Sequence, residues 1–181
     1  MALAPPVQPR VEVEFRPAWR MADARLESDA AAFWIANGLL PPGETAEGRL
    51  PELCVVGYSA GEVSVVSTAR LRHIDFLGAK LAMFRCAVAP KFRNSDLAKA
   101  ITRNARDLLE AWAVQHKDEA VVGMGSVVQG SAWGERVSRA ALRSTGLVFI
   151  GWTADGEPLR VSWFEEARVF RGERRIGYLL D

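Results

Sequence analysis

Histidine and cysteine are scarce in this chain: two of each in 181 residues, His73, His116, Cys54 and Cys86. Two cysteines do not build a disulfide framework, and no Cys or His pair has zinc-finger spacing, so no metal ligands are assigned. Net charge is nearly absent as well, since 23 Lys and Arg against 22 Asp and Glu leave +1 at pH 7. That balance removes the general electrostatic case for a nucleic-acid partner or an anionic membrane. No uninterrupted apolar run approaches the roughly 20 residues a spanning helix requires. Residues 1–9 hold three prolines and lack the basic start and apolar run of a secretion signal. A phosphate-loop Gly-Lys-Ser/Thr is missing too. These absences point to a cytoplasmic protein with reduced thiols.

What remains is an ordinary globular composition, 49% hydrophobic and 25% charged, in a length that suits one domain with a self-sufficient core. Residues 1–10 read as a flexible arm and 11–167 as the domain. Residues 168–181 read as a basic extension, where Arg168, Arg171, Arg174 and Arg175 outweigh Glu173, with Glu165 and Glu166 just before it. Such a tail is solvated or meets a second copy in a homodimer.

Residues 11–15 alternate apolar and polar as a half-buried strand does, and Pro17 closes it. Residues 21–39 carry Leu26, Ala30, Phe33 and Trp34 on one helical face. Residues 41–51, rich in Gly, Pro and Glu, read as a surface connection. Three strands follow at 53–58, 63–74 and 80–88, joined by short turns that make them antiparallel neighbours. Residues 95–116 are the longest helix, with Leu97, Ile101, Ala105, Leu108 and Trp112 at spacings of three and four. A buried strand at 120–128, a short helix at 135–144 ended by Gly146, and a hairpin of 147–153 with 159–164 complete the chain. The order β-α-β-β-β-α-β-α-β-β implies an α/β (α+β) fold, a mixed, mostly antiparallel sheet flanked by helices, with one parallel crossover.

The chemistry-bearing stretch is 81–98, where a strand ends at Pro90 and a basic turn with Lys91 and Arg93 leads at once into the long helix. Such a junction offers unpaired amides and the positive end of a helix to an anion such as a diphosphate. Here the sequence resembles the GCN5-related N-acetyltransferase (GNAT) superfamily. That signature is a strand ending Val-x-Pro, then Arg/Gln-x-x-Gly-x-Gly/Ala at a helix start. Val88-Ala89-Pro90, Arg93 and Ala98 match; Asp96 stands where the central glycine is expected, and Asn94 where another is common. The element order agrees over about residues 11–164.

The resemblance implies an acyltransferase that takes an acetyl or other acyl group from acyl-coenzyme A to an amine by direct attack. The acceptor would be a small-molecule amine or a protein amine. It places coenzyme binding on Ala87, Val88, Arg93, Asn94, Ser95, Asp96, Leu97 and Ala98, with the Val88 amide polarising the thioester. Ser126, Gln129, Ser131 and Trp133 would border the acyl-transfer point. The tyrosine acid common in such proteins would fall at Leu142, which has no proton to donate. The strand 80–88 offers Met83 and Arg85 where some members carry a glutamate base, so no catalytic side chain is assigned. An ionised Asp96 about 5 Å from a phosphate costs roughly 3 kcal/mol at an effective dielectric near 20, unless the carboxylate turns away. Two alternatives follow: a non-catalytic interaction module with a decayed coenzyme site, and an N-acyl synthase served by an acidic acyl-carrier protein.

The remaining features read as structure. Cys86 is expected to be a small buried hydrophobe, and His73 and Asp75 surface residues beside a turn. Gly123-Met124-Gly125 lies inside a strand, so it is no dinucleotide fingerprint. Trp34 and Trp112 fit helix core faces, while Trp133, Trp152 and Trp163 are candidates to line an aromatic or acyl pocket.

Overall fold

A computed structural model describes residues 12–93, 95–127 and 139–168. Eight strands form one sheet in the order β1-β2-β3-β4-β5-β8-β7-β6. They are β1 (Glu14–Pro17), β2 (Leu53–Ser59), β3 (Glu62–Ile74), β4 (Ala79–Val88), β5 (Val121–Val127), β6 (Ala141–Leu142), β7 (Leu147–Trp152) and β8 (Pro158–Trp163). Among the described residues only the β4–β5 pairing is parallel. The helix α3 (Leu97–Gln115) supplies the crossover that a parallel pair requires. The β2–β3 connection is two residues, Ala60 and Gly61, both at positive φ (50° and 81°), the backbone of a tight hairpin turn.

Helices cover both faces of the sheet. On one, α3 buries Ile101, Ala105 and Leu109 against Val65, Ala69, Ala82, Phe84 and Met124. On the other, α1 (Ala24–Ala36) presses Leu26, Ala30, Phe33 and Trp34 onto Leu53, Val56 and Val66. Asp23 caps α1 by accepting from the Arg25 and Leu26 amides at 3.0 Å, which fixes where that helix starts.

Three expectations change. Residues 41–51 are not a bare connection. Thr45 Oγ1 accepts from Gly48 N at 3.1 Å and caps a one-turn helix, α2 (Ala46–Arg49), which leads into a 3₁₀ turn at Leu50–Glu52. Residues 139–144, the described part of the helix expected at 135–144, are not helical. Ala141 and Leu142 pair with Val148 and Leu147 around a turn in which Thr145 N donates to Leu142 O at 3.0 Å and Gly146 takes φ +68°. A stretch this short has too few apolar positions to make a helical face, and a hairpin partner five residues on captures Leu142 instead. Finally, β1 runs through Pro17, which pairs with Val55. An edge strand tolerates proline because its outward side needs no amide donor. The arm 1–10 and residues 169–181 of the basic extension lie outside the described residues, and among the described residues no helix is long and apolar enough to cross a membrane.

Candidate functional site

The site is built where the β4–β5 ladder stops. Its last paired residues are Phe84 and Ser126, yet β4 continues to Val88. Main-chain direction past that point follows from the β3–β4 register. Ala89 N donates to Ser64 O at 2.9 Å, and the register is unbroken from Val65↔Val88 to Ile74↔Ala79. In an antiparallel ladder the amides alternate sides. Ala89, Ala87 and Arg85 therefore face β3, while Val88 and Cys86 direct their amides to the β5 side, beyond the last β4–β5 pair. Two donors thus sit in a row on that edge.

Directly after Val88 comes the junction. Pro90–Phe92 is a 3₁₀ turn in which Phe92 N donates to Ala89 O (2.9 Å), Arg93 N to Pro90 O (3.2 Å) and Ser95 N to Phe92 O (3.2 Å). The Ser95 hydroxyl donates to Phe92 O at 2.6 Å and accepts from Leu97 N at 3.3 Å. Several loop amides are therefore satisfied within the turn. Among the described residues the first helical bond runs from Ala100 N to Asp96 O, so the Ala98 and Lys99 amides precede it, among the first-turn donors of the helix. Asp96 does not cap the helix with its side chain. Its carboxylate is paired with Lys99 Nζ at 2.6 Å, and Lys91 is held by Glu62 at 2.6 Å. Arg93 is exposed at the mouth of the turn. Because α3 has 19 residues, its N-terminus carries a full helix dipole. The residues present fit a diphosphate on the Ala98 and Lys99 amides and the Arg93 guanidinium, with a narrower cradle than a glycine-rich turn offers.

Ser126 is half-buried on β5, level with Phe84 on one side and Arg160 on the other. Ala87, Val88, Arg93, Ser95, Asp96, Leu97 and Ala98 gather at the junction as expected from their order. Asn94, Gln129, Ser131 and Trp133 lie outside the described residues. Leu142 is half-buried against the core that α3 covers. Met83 crosses onto Gly125, where an added Cβ would lie 2.6 Å from its sulfur. Cys86 lies past the last described β4–β5 pair, and burial raises its thiol pKa to about 11. Trp34 is buried to 1% exposure and Trp112 packs against the core, whereas Trp152 is 65% exposed and meets Phe149 edge-on. His73 and Asp75 are exposed at their turn. No cluster of three or more His, Cys, Asp or Glu among the described residues is arranged to hold a metal.

Two arginines escaped the sequence reading. Arg160 on β8 is 2% exposed, donates from Nη2 to Arg139 O at 3.4 Å and lies 5.9 Å from the Phe149 ring centroid; burial pulls its pKa down. A charged residue between Leu159 and Val161 in a strand was the available signal. Arg49 in α2 is buried against Trp34, and nothing in residues 41–51 marks it. A separate groove of about 460 Å³ lies between α1 and the β1–β3 end of the sheet. There Tyr58 donates to Asp29 Oδ2 at 2.7 Å, and burial, then that bond, pushes its phenol up to about 12.

Several solved structures of similar fold are acetyltransferases. The chain aligns with the ribosomal-protein-S5-alanine acetyltransferase of Vibrio fischeri at a TM-score of 0.56 and 10% identity, over 87% of this chain and 96% of that one. A GNAT-family acetyltransferase of Streptococcus pneumoniae gives 0.54 at 10% identity, over 83% and 96%. A putative acetyltransferase of Salmonella typhimurium solved with acetyl-CoA gives 0.53 at 15%, over 87% and 96%. No family model matches the chain, and no curated protein does. At such identities the likeness is one of fold. The chain has the GNAT fold.

Proposed function

We propose that this chain is an N-acyltransferase that moves an acyl group from acyl-coenzyme A to an amine. The observation that carries the reading is the row of Cys86 and Val88 amides on the edge of β4 past its last pairing with β5 among the described residues, shortly before the N-terminus of α3. One end of this arrangement suits a diphosphate and the other a thioester carbonyl, and both lie on the same few residues. Bound there, the coenzyme supplies an acyl carbon activated as a thioester.

The protein's own contribution is then mostly electrostatic. The Ala98 and Lys99 amides and Arg93 hold the diphosphate. The Val88 N–H donates to the carbonyl oxygen, more strongly as charge builds on it when the amine attacks; one such donor is worth about 10²–10³ in rate. The acceptor nitrogen forms the C–N bond, the C–S bond breaks, and the sulfur leaves as a thiolate. The amine sheds its proton to water, and the thiolate takes one up from water. Neither Leu142 nor Met83 can move a proton, and Arg85 is a permanent cation, so that part of the reaction falls to water or to other side chains.

A second reading draws on the junction itself. The satisfied loop amides and the charge at Asp96 favour a protein that binds acyl-coenzyme A, or none, without turnover. Titration calorimetry with acetyl-CoA distinguishes them when paired with a steady-state assay. Micromolar binding that weakens about tenfold in Arg93→Ala, together with release of thiol on adding an amine, is the expected result. Absence of binding at millimolar acetyl-CoA removes the enzyme reading.

A further inference from the structure

One carboxylate serves two guanidiniums on the sheet face opposite α3. Glu44, on the connection into α2, lies with Oε2 3.4 Å from Arg49 Nε and Oε1 3.7 Å from Arg85 Nη1. Both contacts are longer than the charge-assisted bonds such pairs form when well aligned, about 2.7–2.9 Å. Arg49 is 9% exposed, stacked 5.2 Å from the Trp34 ring centroid and linked to Leu39 O at 3.4 Å. Its buried Nε has no hydrogen-bond partner. The neighbouring Arg70–Glu52 pair is self-contained, so it does not relieve the excess of cation over anion. Burial lowers the Arg49 pKa; Glu44 opposes this, and Arg85 adds to it.

The position of Arg85 gives this cluster its meaning. It sits one residue past Phe84, the last residue of β4 paired to β5, and one before Cys86, whose amide faces the edge where an acyl group would lie. Its side chain is about half exposed. An amine approaching that edge from the α1 side therefore meets a guanidinium first. A bare alkylammonium is repelled there, whereas an amine that also carries a carboxylate gains a partner. Successive residues of a strand are about 3.3 Å apart, so Arg85 precedes the Val88 amide by about 10 Å, a gap bridged by the acceptor's chain together with the long Arg85 side chain.

Resting on the acyltransferase reading, we propose that the acceptor is a small amine bearing a carboxylate, which is bound by Arg85 with Arg49 behind it and which displaces Glu44. Glu44 occupies the anion position until a ligand takes it, and Arg49, braced on Trp34, keeps the position cationic.

The test compares 4-aminobutyrate with n-butylamine as acceptors from acetyl-CoA at low ionic strength, and measures glutarate binding by calorimetry as a readout independent of turnover. The expected kcat/KM ratio favours 4-aminobutyrate at least tenfold. Arg85→Gln collapses it toward one by loss on 4-aminobutyrate alone, while Glu44→Gln tightens glutarate severalfold. Equal use of the two amines, or a preference untouched by Arg85→Gln, overturns the substrate class while leaving acyl transfer standing. If neither amine is acetylated, glutarate decides: binding weakened by Arg85→Gln and tightened by Glu44→Gln upholds the anion site, and no binding, or Glu44→Gln without effect, overturns it.

Discussion

Val88→Pro lowers kcat by about 10²–10³ while changing the affinity for acetyl-CoA less than threefold. The reasoning rests on where the Val88 amide points. Ala89 and Ala87 bond to β3, so the Val88 N–H does not, and its removal leaves the β3–β4 ladder intact. Proline's fixed φ suits an extended chain, and its restriction on the preceding residue keeps Ala87 extended, where it already is. The Ala98 and Lys99 amides, proposed to hold the diphosphate, are untouched. Only the hydrogen bond to developing oxyanion charge is lost, an interaction that belongs to the transition state and therefore appears in kcat. Val88→Ala, which trims the side chain but keeps the N–H, separates the two causes and retains kcat within a few fold. Single-turnover kinetics with calorimetric affinities measure both. An unchanged kcat in Val88→Pro would mean another donor polarises the thioester.

The second large effect concerns stability. Trp34→Ala destabilises the fold by about 3–5 kcal/mol, the usual cost of emptying a large aromatic site in a packed core. Trp34 is 1% exposed and joins α1 to Leu53, Val56 and Val66. It also carries the Arg49 guanidinium on its ring, and a partly desolvated cation–π contact of this kind adds about 1–2 kcal/mol. Removing the indole leaves a buried cation with a poorer environment, so α2 loosens together with α1. Urea unfolding followed by circular dichroism reads the loss as a lowered midpoint; Trp34→Phe, which keeps a ring beneath Arg49, loses less than half as much. A cost below about 1.5 kcal/mol for the alanine variant would show that α1 is not anchored through this residue.

Strands and the long helix were legible in the sequence because their signals are local and repeated. Val63, Val65 and Val66 announce β3, and Leu97, Ile101 and Ala105 mark the buried stripe of α3. The Val88-Ala89-Pro90 stop followed by a helix start placed the junction correctly. What stayed hidden depends on which of several possible partners each residue takes. The run 141–147 carries residues acceptable to either a helix or a hairpin, and the choice is made by pairing with Val148 and Leu147. Asp96 could repel a phosphate or turn aside; only the three-dimensional arrangement sends it to Lys99. Arg49 sits among residues 41–51 that look like a solvated connection, and it is buried against Trp34 of α1, which nothing in that stretch announces.

The most direct test of the central claim, that coenzyme A binds along the β4 edge and the start of α3, is an amide-resolved titration of the ¹⁵N-labelled protein with coenzyme A. The account predicts the largest shifts at the amides of Cys86, Val88, Ala98 and Lys99, with little change around Tyr58 and Asp29. Shifts confined to the groove beside Tyr58, or none at millimolar ligand, would contradict it.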